Sequence, residues 1–118
     1  MEDKVGRILE IIGRLGRNEK VNPELLAKKL GVSTRTIYRD LEFISNAHFP
    51  IYYDRPGKTY RFREGFSLRR LNLNKEDIRA LITSQLLFTR LADPFKRAVD
   101  KLLKKLMESG ENQLKLNF

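Results

Sequence analysis

Apolar residues recur every three or four positions from residue 5 to residue 44, the spacing expected of helices that each bury one face. The pattern divides into three predicted helices. The first covers residues 3–15, and Gly16 is its predicted end. The second begins at Asn22-Pro23-Glu24, because asparagine caps helices well and a proline in the first turn loses no hydrogen bond. Its apolar positions are Leu25, Leu26 and Leu30.

A sharp turn separates the second predicted helix from the third. Gly31 suits a left-handed helix end, and Ser33 is placed to cap the next helix through its hydroxyl. At about 100° per residue, the third helix brings its apolar residues onto one stripe that faces the core. These residues are Ile37, Leu41 and Ile44. Helix, tight turn and helix together predict a helix-turn-helix unit.

The side of the third helix opposite this stripe carries Arg35 and Arg39, one helical turn apart. Arginine pairs bidentately with guanine in the major groove of DNA, while hydroxyls and helix N-termini bind phosphate. Predicted base contacts come from Arg35, Arg39 and Thr36, and predicted phosphate contacts come from Ser33, Thr34 and Tyr38. The alternative is a solvated helix face with ordinary surface arginines.

The third helix also carries two acidic residues, Asp40 and Glu42. Both would repel phosphate if they faced DNA, since like charges at short range cost free energy. We therefore predict that Asp40 pairs with a neighbouring arginine or with the backbone.

Two short aromatic and β-branched runs, residues 51–54 and 59–62, follow the third helix and predict a β-hairpin around the turn Arg55-Pro56-Gly57-Lys58. In a winged helix-turn-helix, such a hairpin lies beside the recognition helix. Arg55 and Lys58 at its tip can then reach a minor groove or the phosphate backbone. An equally weighted alternative is a hairpin that only closes the core. Its aromatic residues, interpreted as packing residues, are Tyr53, Tyr60 and Phe62.

The rest of the chain predicts a connector and two further helices. Residues 63–73 lack a clear period, Asn74 caps a fourth helix, and Asp93-Pro94 begins a fifth that Gly110 ends. The apolar stripe of the fifth helix comprises Phe95, Ala98, Val99, Leu102, Leu103 and Leu106. Such a stripe suits a membrane surface, packing on the preceding helix or a two-fold partner, and we favour a homodimer through these C-terminal helices. Residues 113–118 alternate like an unpaired strand.

The composition shows that the chain is strongly basic, and it excludes several classes of function. The 118 residues carry a formal net charge of +9, which indicates an anionic partner, and nucleic acid is the commonest for a basic domain. Cysteine, a membrane-spanning apolar run and an apolar leader are all absent, so we expect a soluble cytoplasmic protein without membrane contact. His48, the single histidine, is accompanied by no nucleophile, carboxylate pair or metal cluster. We therefore expect no enzyme activity, no metal and no cofactor.

Three segments resemble the N-terminal part of bacterial WYL-domain transcriptional regulators and, more loosely, the DNA-binding heads of DeoR-type repressors. They are ELLAKKLGVSTRTIYRDLEFI (Glu24 to Ile44), FPIYYDRPGKTYRF (Phe49 to Phe62) and LNLNKEDIRALI (Leu71 to Ile82). The most specific pattern is Ser33 to Asp40. The resemblance implies a winged helix-turn-helix that binds operator DNA as a dimer, and a connector to an effector-sensing WYL domain. We expect that domain to be absent from this chain, which has no tryptophan and stops at Phe118.

We therefore predict a mainly α fold with a small β-hairpin wing. Residues 1–66 form a winged helix-turn-helix DNA-binding domain, and residues 67–118 form a two-helix connector and possible dimerisation segment. The predicted function is sequence-specific binding of double-stranded DNA by a transcriptional regulator, of the repressor type by resemblance. A protein-interaction adaptor built on a winged-helix fold is the alternative. RNA binding is weaker, because the chain lacks the aromatic strand pattern of common single-strand readers.

Overall fold

The computed structural model describes residues 3–88 and 93–112, and within them the chain forms five helices and one two-stranded sheet. The elements are α1 (Lys4–Gly16), α2 (Pro23–Leu30), α3 (Thr34–Asn46), β1 (Ile51–Asp54), β2 (Thr59–Phe62), α4 (Lys75–Phe88) and α5 (Asp93–Asn112). This confirms the predicted fold class, a mainly helical winged helix-turn-helix followed by further helices.

Local hydrogen bonds explain why α2 and α3 begin and end where they do. The Asn22 side-chain oxygen accepts from the backbone N–H groups of Glu24 and Leu25 at 3.1 and 3.2 Å. Gly31 closes α2 with a φ of +70°, which glycine adopts without the steric cost that a side chain would bring. Ser33 Oγ then accepts from the Thr36 N–H at 3.1 Å and starts α3.

The core lies where α1, α2 and α3 meet the loop before the hairpin. Its fully buried members include Ile8, Ile11, Ile12, Leu26, Ile37, Ile44 and Phe49. Phe49 extends this core toward the hairpin, because its ring lies 6.3 Å from that of Phe62 and 6.4 Å from that of Phe66. One residue departs from the predicted apolar face of α2, since Leu25 is 53% exposed.

Strands β1 and β2 pair antiparallel, from Ile51 opposite Phe62 to Asp54 opposite Thr59. We call this hairpin, residues 51–62, the wing. Because side chains alternate across a strand, Ile51 and Phe62 face the core at the base of the wing while its turn lies at the far end.

The C-terminal helices share the core of the helix-turn-helix. Helix α4 packs on α1 through Ile78 and Ile82, and Leu103 and Met107 of α5 are buried as well. The predicted boundary after residue 66 stays a prediction. Gly110 does not end α5, contrary to our expectation, because the helix continues to Asn112. One glycine inside a helix costs only about 1 kcal/mol. The predicted strand at residues 113–118 lies outside the described residues.

Candidate nucleic-acid interface

Helix α3, the predicted recognition helix, turns its arginines away from the core. Ile37, Leu41 and Ile44 are buried beneath it, whereas Arg35 and Arg39 are exposed on the opposite side. The structure therefore places both arginines as the helical spacing predicts.

The other predicted contact residues of α3 differ in how open they are. Ser33 is exposed and Tyr38 is 47% exposed, but Thr34 and Thr36 are half-buried. The Thr36 hydroxyl lies 3.0 Å from Ser33 Oγ, so both hydroxyls take part in the helix cap. A base contact from Thr36 would use its methyl group or give up this hydrogen bond.

Asp40 lies on the inner side of α3, where it is paired with an arginine of α1. Its carboxylate accepts hydrogen bonds from Arg7 Nε and from Arg7 Nη2, the second at 3.0 Å. Only 2% of the Asp40 side chain and 12% of the Arg7 side chain are exposed. The predicted arginine partner exists, but it lies 33 positions away rather than nearby in the sequence. Because this acid is neutralised inside the fold, it does not oppose phosphate binding on the outer face.

The wing carries its two predicted contact residues at its turn. Arg55 and Lys58 are both exposed, and the Lys58 N–H donates to the Arg55 carbonyl at 3.2 Å. Lys58 has a φ of +52°, a left-handed conformation that costs a side-chain-bearing residue about 1–2 kcal/mol. A lysine is thus held where glycine or asparagine would be the lower-energy choice.

An arginine stiffens the wing from one side. Arg61 Nε donates to Asp54 Oδ2 at 2.9 Å, and Arg61 Nη1 donates to Asn18 Oδ1 at 2.6 Å in the loop after α1. The Arg61 hydrogen bond lowers the pKa of Asp54 below its ordinary value, with help from the Gly57 N–H and against partial desolvation. The turn of the wing is therefore tied to its own second strand and to the body of the domain.

Three hydrogen bonds fix the wing to the segment that leads into α2. The Val21 N–H donates to Thr59 Oγ1 at 2.7 Å, the Tyr60 N–H donates to the Val21 carbonyl at 2.9 Å, and Asn22 Nδ2 donates to the Lys58 carbonyl at 3.1 Å. Thr59 is only 2% exposed. The sequence pattern does not indicate this attachment, because a threonine at the start of a strand is an ordinary strand residue.

Tyrosines occupy the space between α3 and the wing. The rings of Tyr53 and Tyr60 lie 5.0 Å apart. Burial raises the pKa of Tyr60, and the neighbouring Tyr38 of α3 and Tyr53 raise it further. Tyr53 is 42% exposed, so it is only in part the packing residue that we expected. Phe62 does pack, with its ring 4.8 Å from that of Phe66.

The four exposed cations on α3 and at the turn of the wing do not take part in internal ion pairs. Among the residues that the structure describes, Arg35, Arg39, Arg55 and Lys58 form no salt bridge. Their charges are therefore available to an external anion, which gains more from such groups than from cations already paired.

Residues 7–61 match the family model of the HTH domain, the helix-turn-helix. The matched segment runs from Arg7 in α1 through α2 and α3 to Arg61 in the wing. Match and geometry agree on a DNA-binding domain of the kind that transcriptional regulators carry. No solved structure matches the chain.

The described residues contain neither a membrane-spanning helix nor a group of metal ligands. None of their helices has the length and apolar character needed to cross a membrane. In the same residues, no three histidine or acidic side chains are grouped as ligands for a metal ion.

Proposed function

We propose that this protein is a sequence-specific regulator of transcription that inserts α3 into the major groove of double-stranded DNA and lays the wing alongside. One observation carries the proposal. Helix α3 exposes Arg35 and Arg39, which form no salt bridge with any described residue, while Asp40 of the same helix is neutralised by Arg7 inside the fold. The major groove admits an α-helix, and the guanidinium group matches the edge of guanine.

The proposed roles follow from position. Arg35 and Arg39 contact bases, with Thr36 as a further base contact at the helix start. Phosphate contacts are assigned to Ser33 and Thr34, since the N-terminal turn of a helix favours anions, and to Tyr38, which is exposed beside the two arginines. Arg55 and Lys58 contact the flanking groove or the backbone, where arginine suits a narrow minor groove. The cytoplasm as location, repression as output and kinship with the WYL-domain regulators belong to the same proposal. The location rests on the composition of the chain, and the other two rest on the sequence resemblance.

The test begins with selection of bound sequences from random duplexes, followed by fluorescence anisotropy on the selected site. Arg35→Ala and Arg39→Ala are each expected to cost about 1–3 kcal/mol of binding free energy and to relax specificity at one position. Arg97→Ala, which removes an exposed arginine of α5, is the matched control and is expected to retain wild-type affinity. Wild-type affinity and specificity in both α3 variants would show that α3 is not the recognition helix.

Salt dependence separates DNA binding from the adaptor alternative. For direct binding, the logarithm of the association constant falls against the logarithm of salt concentration with a slope of about 0.9 per neutralised phosphate. An adaptor that binds proteins would give no DNA isotherm at any salt concentration.

We also propose that the regulator is a homodimer formed through α5. One side of α5 is buried through Leu103 and Met107, but Phe95, Leu102 and Leu106 remain 50–61% exposed. Together with Val99, these three lie at the alternating four- and three-residue spacing of paired helices. The double substitution Leu102→Glu/Leu106→Glu should give a monomer in sedimentation, and Ser109→Glu on the same helix should not. A monomeric wild-type protein at the concentrations that saturate DNA would refute the dimer.

A further inference from the structure

A cavity of about 320 Å³ lies between α1, the segment of residues 63–74 and the start of α4, on the side of α1 away from α3. This volume is in the range of sites for small ligands, which are mostly apolar with a few placed polar groups. The apolar residues that line it are Leu9, Ile12, Leu68, Leu73 and Ile78. We call it the α1–α4 cavity.

The charged residues of the α1–α4 cavity are mainly basic. Lys75 and Arg79 of α4 line it, both are exposed, and neither forms a salt bridge with any residue in the described part of the chain. Arg17 lines it as well and donates to Glu19 at 2.6 Å. The acid in the lining is Glu10, which accepts from Arg14 at 2.8 Å and is thereby compensated. The wall thus offers two unpaired cations to a ligand and no uncompensated acid.

The backbone shapes the cavity without adding to this charge preference. Helix α4 begins at the cavity, but its first turn carries Glu76 and Asp77, and Asn74 and Asp77 cap the helix reciprocally, so the anion preference rests on Lys75 and Arg79. On the opposite wall, a Cβ atom at Gly13 would lie 3.1 Å from the Arg17 guanidinium. A methyl group at that position would require the flexible Arg17 side chain to move by only a few tenths of an ångström, so Gly13 adds space at this wall but does not by itself hold the cation there.

We propose that the α1–α4 cavity binds a small amphipathic carboxylate, with the apolar body against the leucine-rich lining and the carboxylate between Lys75 and Arg79. Carboxylate suits these groups because charge-assisted hydrogen bonds to lysine and arginine are about twice as strong as neutral ones. A molecule bound there touches both α1 and α4 and so joins the C-terminal part to the helix that holds α3 through Arg7. The inference is separate from the proposed DNA contacts, which lie on other residues.

The probe is 1-naphthoate, followed by ¹⁵N chemical-shift perturbation of the full chain without DNA. The expected result is saturable shifts at Gly6 and Gly13, which line the cavity. The neutral analogue 1-naphthalenemethanol should bind more weakly. Lys75→Gln/Arg79→Gln should weaken naphthoate binding by about tenfold, as expected for loss of two charge-assisted contacts.

The control is Lys101→Gln/Lys105→Gln, which removes the same charge from exposed positions of α5 and should leave binding unchanged. Shifts spread over the surface, or equal weakening by both double variants, would show non-specific attraction to a basic protein and overturn the proposal. So would the absence of shifts at Gly6 and Gly13. DNA binding of the same samples is measured separately, so that failure of the cavity proposal and failure of the DNA proposal give different results.

Discussion

Replacing Asp40 by alanine is expected to lower the free energy of unfolding by about 3–5 kcal/mol. The Arg7 and Asp40 side chains are 12% and 2% exposed, so the pair is shielded from water on both sides. Removing Asp40 takes from the buried Arg7 guanidinium the two hydrogen bonds that its carboxylate accepts, and the loss of one partner of a buried ion pair has this size. Domains of this class have total stabilities of only about 5–15 kcal/mol, so the variant should unfold at markedly lower urea concentration.

The measurement is urea unfolding followed by far-ultraviolet circular dichroism, with Asp40→Leu, Arg7→Met and the double variant Arg7→Met/Asp40→Leu beside Asp40→Ala. Arg7→Met should also destabilise strongly. The double variant should recover most of the loss, because a buried ion pair replaced as a whole by apolar side chains is often neutral. Glu42→Ala on the same helix is the matched control: Glu42 is exposed, and its loss should change stability by less than about 0.5 kcal/mol.

Two results would refute this reasoning. If Asp40→Ala stayed within about 1 kcal/mol of wild type, the charge on Arg7 would have found water, and the pair would not anchor α3. If the effects of Arg7→Met and Asp40→Leu simply added in the double variant, the two residues would be energetically independent despite their contact.

Three further predictions concern the wing. Thr59→Val should cost about 1–3 kcal/mol of stability and speed amide exchange at Val21, because the Val21 N–H loses its buried acceptor. Thr59→Ser keeps the hydroxyl and should leave both the stability and the exchange rate at Val21 close to wild type. Lys58→Asn should leave stability unchanged or raised, since asparagine tolerates the left-handed backbone, and should lower the salt slope of DNA binding by about 0.9 if Lys58 contacts phosphate. Arg61 lowers the pKa of Asp54 in the folded state, so the stability that this ion pair contributes is complete above the ordinary pKa of 3.8 and is lost as the pH falls through the lower folded-state pKa. Asp54→Asn should therefore remove this contribution to the loss of thermal stability at acid pH.

Features set by residues close together in the chain could be predicted from the sequence. The caps at Asn22 and Ser33 each use a side chain and a backbone group within three positions, and Gly31 ends α2 through its own left-handed backbone and an N–H that donates to the Ala27 carbonyl. The outward direction of Arg35 and Arg39 follows from helical spacing once the buried stripe is known. These are the elements on which the candidate interface depends most.

Features set by polar pairing across the fold could not be predicted in the same way. Arg7 with Asp40, Val21 with Thr59 and Asn18 with Arg61 are separated by 33, 38 and 43 positions. Many other acids and bases in this highly charged chain have compatible chemistry, so sequence pattern alone does not select the partner. The end of α5 was missed for a different reason, because tertiary packing outweighs the small cost of one interior glycine.

These three distant pairs have a shared consequence for recognition. One ties α3 to α1, and the other two tie the wing to the segment between α1 and α2, so both elements of the proposed DNA interface are fixed to the same support in the protein without DNA. A wrong base costs only about 1–3 kcal/mol, and a recognition helix free to shift could recover part of that by re-docking its arginines. Buried or bridging polar pairs restrict that freedom, because re-docking would break them. In the proposed complex, sequence discrimination by Arg35 and Arg39 therefore depends on residues to which no DNA contact is assigned, with Asp40 foremost among them.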